Sequence, residues 1–138
     1  MSNIERSYFG QRPSIVLTSM DRDALFALLS NPPMTTDAAA ACFLREEIER
    51  ADVLSDEAAP NSVVRIGCYV KFVDHADTRV RRAQIVLPED SLCSDRISVL
   101  SRIGSALIGL GPGQSIRWNE CGEERSLAVL EVGATKPS

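Results

Sequence analysis

Histidine, aromatic residues and paired cysteines are what this chain has least of. His75 is the only histidine in 138 residues, aromatic residues make up 5%, and Trp118 is the only tryptophan. A single imidazole leaves a Ser-His-Asp or Cys-His triad one base to work with, and the polar run Asp74-His75-Ala76-Asp77 puts that base in a hairpin turn rather than a pocket. Cys42, Cys68, Cys93 and Cys121 lie roughly 25 to 30 residues apart, without the close pairs that hold zinc, and read as reduced core thiols. No metal and no cofactor is expected. Long apolar runs are also missing. Residues 62–73 and 103–110 are interrupted by Arg65, Lys71 and glycines, well short of the roughly 20 residues that a membrane span needs. Residues 1–12 carry Glu5 and Arg6 and no apolar core of a secretory signal, so a cytoplasmic location is expected. The net charge of −4, from 15 basic and 19 acidic residues, gives no global field that favours tight binding to nucleic acid.

What is present is enough for a real core, since 44% of the residues are hydrophobic. Thr18 stands three residues before Asp21, an approximate capping box, and Leu25, Leu28 and Leu29 follow at helical spacing until Asn31-Pro32-Pro33 ends the helix. Thr35 or Thr36 is expected to cap a second helix, whose seam is Ala41, Leu44, Ile48 and Ala51 and whose outer face is Arg45, Glu46, Glu49 and Arg50, with Glu46 paired to Arg50. These two helices are expected to form a short, coiled-coil-like hairpin over residues 1–60. Residues 55–61 lose periodicity around Pro60 and read as a junction to a second unit, residues 61–138.

From Ser62 to Val73 the chain is rich in β-branched and aromatic residues and reads as a strand. Residues 79–87 form its hairpin partner, with Val80, Ile85 and Leu87 available to the core. Residues 96–100 are short and extended or irregular, Ile103, Ala106, Leu107 and Leu110 share one helical face, and residues 114–119 and 125–132 read as two closing strands. The fold class is therefore α+β: an N-terminal helical hairpin followed by an antiparallel sheet with one short helix.

Several constellations have a chemical and a plain reading. The run Gly109-Leu110-Gly111-Pro112-Gly113 follows a helix instead of opening one, so it reads as a helix cap and turn and not as a phosphate loop. Asp21/Asp23, Asp52/Asp56 and Glu123/Glu124 are carboxylate pairs at helix ends and turns, where solvation explains them and catalysis is not needed. Arg79, Arg81 and Arg82 cluster on one strand, either as its wet face or as a phosphate-facing patch. Trp118, mid-strand, reads as core or interface packing.

The stretch from Ile97 to Leu110, Ile-Ser-Val-Leu-Ser-Arg-Ile-Gly-Ser-Ala-Leu-Ile-Gly-Leu, resembles the signature of the GreA/GreB C-terminal domain. Val70-Lys71-Phe72 and Val80-Arg81 resemble that domain's first hairpin, and residues 127–132 its last strand. Residues 12–17, Arg-Pro-Ser-Ile-Val-Leu, with the short helix and the alanine-rich helix carrying Leu44, Glu47, Ile48 and Ala51, resemble the Rnk branch of the same family. The resemblance implies an FKBP-like second unit that binds RNA polymerase at the mouth of its secondary channel. It implies a partner surface of Ser98, Leu100, Ser101, Arg102 and Ile103, with Arg102 where the family has a proline. It also implies a non-enzymatic regulator, or else an effect on nucleoside diphosphate kinase; a monomer is the expected state, with self-association through Trp118 or the exposed edge strand left open. Transcript cleavage in the family uses carboxylates at the tip of a long hairpin; here Asp37 alone lies near that tip, so binding without cleavage is expected, as is no prolyl isomerase activity.

Overall fold

The computed structural model describes residues 14–34, 36–60, 62–75, 78–92, 95–120 and 122–133. Residues 1–12, Thr35, Asn61, Ala76, Asp77, Cys93 and Cys121, which enter the sequence expectations, lie outside them.

Strand β1 (Val16–Thr18) runs directly into helix α1 (Ser19–Ser30). Thr18 is the cap: its Oγ1 accepts from the Asp21 backbone N–H at 3.0 Å, as the Thr-x-x-Asp spacing predicts. Leu25 and Leu29 are buried and the helix stops before the two prolines. The Asp21 carboxylate does more than fill the first turn. Its Oδ2 accepts from the Ile66 N–H at 3.0 Å, tying α1 to a turn 45 residues away, and burial raises its pKa above the usual carboxylate range.

Helix α2 (Ala38–Arg50) is capped by Asp37, not by a threonine: Asp37 Oδ1 accepts from Ala39 N at 2.8 Å and Ala40 N at 3.3 Å. A full negative charge beside the positive end of the helix explains why the aspartate takes this place. Ala41, Leu44 and Ile48 are buried as expected, but so is Glu47, 1% exposed. Arg50 serves that carboxylate, donating from Nε and Nη2 at 2.9 and 2.8 Å, rather than forming the expected pair with Glu46. Strand β2 (Asp52–Leu54) then pairs parallel with β1. Two strands of three residues are too short to show a period in sequence. Helix α2 packs more extensively against the short helix of the second unit than against α1.

The second sheet has the order β5-β4-β3-β7-β6, formed by β3 (Tyr69–Asp74), β4 (Arg79–Val86), β5 (Arg96–Ser98), β6 (Ser115–Glu120) and β7 (Glu123–Gly133). Three of its pairings are antiparallel, but β4 and β5 are parallel, which corrects the expectation of an all-antiparallel sheet. The connection through a 3-10 turn at Pro88–Asp90 carries the chain back so that β5 enters beside β4 in the same direction. Strand β3 starts at Tyr69 instead of Ser62: the chain turns at Arg65–Cys68, where Gly67 takes a φ of 96°. Val63 and Val64 are still buried, with Val64 N–H bonded to Leu110 O at 2.8 Å. Val80 is not core but 48% exposed: it pairs with Val73, on the sheet face turned away from Phe72 and Ile85.

Helix α3 (Arg102–Leu107) is shorter than expected, ending where Gly109 adopts a φ of 84°, so the glycine run is a helix cap and turn. One apolar cluster contains Leu25, Leu44 and Ile48 together with Phe72, Ile85, Leu107 and Leu127, so both halves of the chain contribute to a continuous core. Cys42 is exposed, contrary to expectation; Cys68 is half-buried and its thiol pKa is pushed up by that burial. Among the described residues no helix is long and apolar enough to cross a membrane.

Candidate functional site

The segment joining β5 to α3 is a tight turn built by its own serines. Ser98 Oγ accepts from Leu100 N–H at 3.0 Å. Ser101 Oγ donates to Ser98 O at 2.7 Å and accepts from Gly104 N–H at 3.0 Å, closing the turn and capping the helix at once. Val99 and Leu100 are buried beneath it, so Leu100 anchors the segment from inside and offers no side chain to a partner. Ser98, Ser101, Arg102 and Ile103 are partly exposed.

Asp37 and Arg102, singled out in sequence for separate reasons, are brought together. Arg102 Nε donates to Asp37 Oδ2 at 2.8 Å, a link across 65 residues that joins the start of α2 to the start of α3. Both oxygens of Asp37 are thus engaged, one by the helix and one by the guanidinium. The Arg102 hydrogen bond, and after it the two backbone N–H groups, hold its pKa below the usual carboxylate range. No group of residues suited to holding a metal occurs among the described residues.

Behind this link a small cavity of about 100 Å3 lies between α2, α3 and β6, walled by Ala40, Phe43, Ala106 and Trp118. Trp118 is 7% exposed, with the Phe43 ring 6.5 Å away and Arg125 stacked 5.6 Å above its own ring. It packs at the seam, as its mid-strand position suggested. His75 sits exposed in its turn, 2.6 Å from Ser126 Oγ. Arg79, Arg81 and Arg82 are exposed, and Arg96 and Arg125 come to line the same cleft as Arg81 and Arg82. Nothing local in the sequence marks Arg96 or Arg125, since β5 and β7 meet β4 and β3 only through the sheet.

Residues 59–134 match the family model for the C-terminal part of the transcription elongation factors GreA/GreB, and residues 13–54 match the model of the Rnk N-terminus. The chain belongs to the GreA/GreB family, in its Rnk-type form. The regulator of nucleoside diphosphate kinase of Escherichia coli (strain K12) is 34% identical over 123 residues, covering 88% of this chain and 90% of that protein. A GreA from Acidiphilium cryptum is 31% identical over 90 residues, 64% of this chain and 57% of its own length. Among solved structures, a transcription elongation factor GreA/GreB from Nitrosomonas europaea superposes with a TM-score of 0.67 at 30% identity, covering 88% of this chain and 98% of that one. Their names describe transcription factors and a regulator.

Arg102 is the position at which the sequence resemblance implies a proline in the family. The backbone here suits either residue: Arg102 is the first helical position, and Ser101 before it has φ −77° and ψ 164°. Arg102→Pro is therefore expected to fold normally, losing no more than about 1 kcal/mol, since the Asp37 pair is partly exposed. It should raise the Asp37 pKa toward its ordinary value. A depressed acid contributes stability above the unfolded pKa near 3.8 and loses it as pH falls through the folded pKa. The difference between the two proteins should accordingly shrink to nothing in that acid window. Carboxyl NMR titration of both proteins measures it; an Asp37 pKa that does not move would show that Arg102 is not its main partner.

Proposed function

We propose that this chain is a non-enzymatic regulator that binds RNA polymerase near its secondary channel without stimulating transcript cleavage. Residues 1–60 act as a short helical hairpin, and residues 61–138 as the FKBP-like domain that docks. The observation that carries this reading is the match of residues 59–134 to the GreA/GreB C-terminal model, which includes the whole β5–α3 turn. Ser98, Ser101, Arg102 and Ile103 form the docking surface, with Leu100 supporting them from below. The lack of cleavage is supported by Asp37, whose two oxygens are already bonded to the helix N–H groups and to Arg102. A carboxylate so engaged is poorly placed to hold a second magnesium ion. A helix of 13 residues such as α2 also reaches only about 20 Å.

The test is a titration of the purified protein against core RNA polymerase with a GreA competitor, followed by a stalled-complex assay. Saturable binding that GreA displaces, with transcripts left at full length, is the expected result. No association with core enzyme would sink the reading, and shortened transcripts would sink its second half. The name of the Escherichia coli relative supports one further reading, an effect on nucleoside diphosphate kinase level or activity. Deleting the gene and finding kinase amount and activity unchanged would remove it.

A further inference from the structure

Five of the chain's thirteen arginines, Arg81, Arg82, Arg96, Arg102 and Arg125, line a single cleft of about 610 Å3. They arrive from β4, β5, the first residue of α3, and β7, so only the fold assembles them. This is a concentration of one charge in a protein whose formal net charge is −4. Among the described residues no carboxylate forms the walls. Asp37 and Asp74 reach Arg102 at 2.8 Å and Arg125 at 3.1 Å from outside, and Arg81 is engaged as well. Arg96 gives an N–H to the neutral Asp90 carbonyl at 3.3 Å, which leaves its charge in place.

Ser91, Ser98 and Ser101 also face the cleft, but their hydroxyls donate or accept within their own turns. Recognition therefore falls to the guanidinium groups on the side of Phe72, those of Arg81, Arg102 and Arg125, whose planar fork fits paired phosphate oxygens; the register sets Arg82 beside Lys71 and Arg96 beside Gln84, on the opposite face of the sheet. The accessible apolar wall is formed by Ile97 and Ile103, with the buried Ala83 and Phe72 beneath it. The size falls within the roughly 300–1,000 Å3 typical of small-molecule sites.

We propose that this cleft binds the polyphosphate group of a small ligand, with any organic body of that ligand resting on the apolar wall. The cleft shares Ser98, Ser101, Arg102 and Ile103 with the docking surface, so ligand and polymerase compete; the binding itself is measured on the isolated chain and needs no polymerase. The probes are inorganic pyrophosphate and ADP, titrated at fixed ionic strength with sodium sulfate as a control. Two readouts run in parallel: equilibrium dialysis, and emission of Trp118, against which Arg125 is stacked at 5.6 Å.

Saturable binding of pyrophosphate, ADP or both is expected, with sulfate markedly weaker. ADP binding tighter than pyrophosphate assigns the apolar wall to a nucleoside; equal binding assigns the site to polyphosphate alone. Arg81→Ser and the double change R81S/R102S should weaken binding, roughly tenfold for each arginine removed. R22S, on α1 and outside the cleft, should bind as the unchanged protein does. Circular dichroism confirms that each variant folds, and R81S alone touches an exposed strand position. Absence of saturation by both probes into the millimolar range overturns the proposal. So does affinity unaffected by R81S/R102S, or a polyglutamate peptide that binds as tightly as pyrophosphate.

Discussion

Gly104→Ala is expected to destabilise the protein by on the order of 3 kcal/mol, the upper part of the range for forcing extra volume into a packed site. Helix propensity alone predicts the opposite sign, a gain of about 1 kcal/mol for alanine over glycine inside a helix. Sterics decide it. A Cβ on residue 104 runs into the carbonyl oxygen of Ser98, lies 2.9 Å from its carbonyl carbon and 3.1 Å from Ser101 Oγ. These are not the free ends of flexible side chains. The Ser98 carbonyl accepts from Ser101 N–H at 3.0 Å and from its hydroxyl at 2.7 Å, and Gly104 N–H itself bonds to that hydroxyl at 3.0 Å. Making room means opening the turn that presents Ser98 to Ile103. Urea unfolding followed by Trp118 emission gives the loss, and polymerase titration of the folded fraction should show weakened binding as well. A Gly104→Ala protein as stable as the parent would mean that the turn yields easily, and the rigid docking surface would have to be abandoned.

That glycine sits inside a stretch the sequence marks clearly, and the contrast with other regions is physical. Signals carried by neighbours in the chain are readable: Thr18 with Asp21, the Asn31-Pro32-Pro33 stop, the seam of Ala41, Leu44 and Ile48, and the glycine-rich end of α3. The family signature in residues 97–110 reaches further, because it carries the order of elements with it. What escaped depends on residues that meet only after folding. The parallel entry of β5 beside β4 is set by the path of the chain through Pro88–Asp90, and no periodicity encodes a direction. Glu47 reads as one more charge on a charged helix until Arg50 and the surrounding core enclose it. The candidate site divides in the same way: the proposal of Ser98, Ser101, Arg102 and Ile103 as a docking surface starts from a local motif, whereas the Asp37–Arg102 bond and the gathering of Arg96 and Arg125 around the same cleft as Arg81 and Arg82 required the assembled sheet.

The strand that does the assembling supplies the second large effect. Strand β3 lies at the centre of the five-stranded sheet, and Phe72 is its largest fully buried side chain, 0% exposed. Its backbone pairs with Arg81 on one side and Val129 on the other, just past a register irregularity between Lys71 and Phe72. Its ring also lies beneath the arginine cleft. Phe72→Ala removes that ring from a site held in place on both sides by neighbouring strands. The cavity cannot readily collapse, and a loss of about 3–5 kcal/mol is expected. For a domain with a total stability of roughly 5–15 kcal/mol, that brings the folded state close to its limit. Phe72→Leu keeps most of the volume and should lose only about 1 kcal/mol. Paired urea titrations separate the two: a wide gap between alanine and leucine identifies packing as the cause. If alanine proved as mild as leucine, the central strand would have relaxed into the space, and the cleft above it, whose walls are β4, β5 and the start of α3, would be shallower and more adaptable than its present geometry.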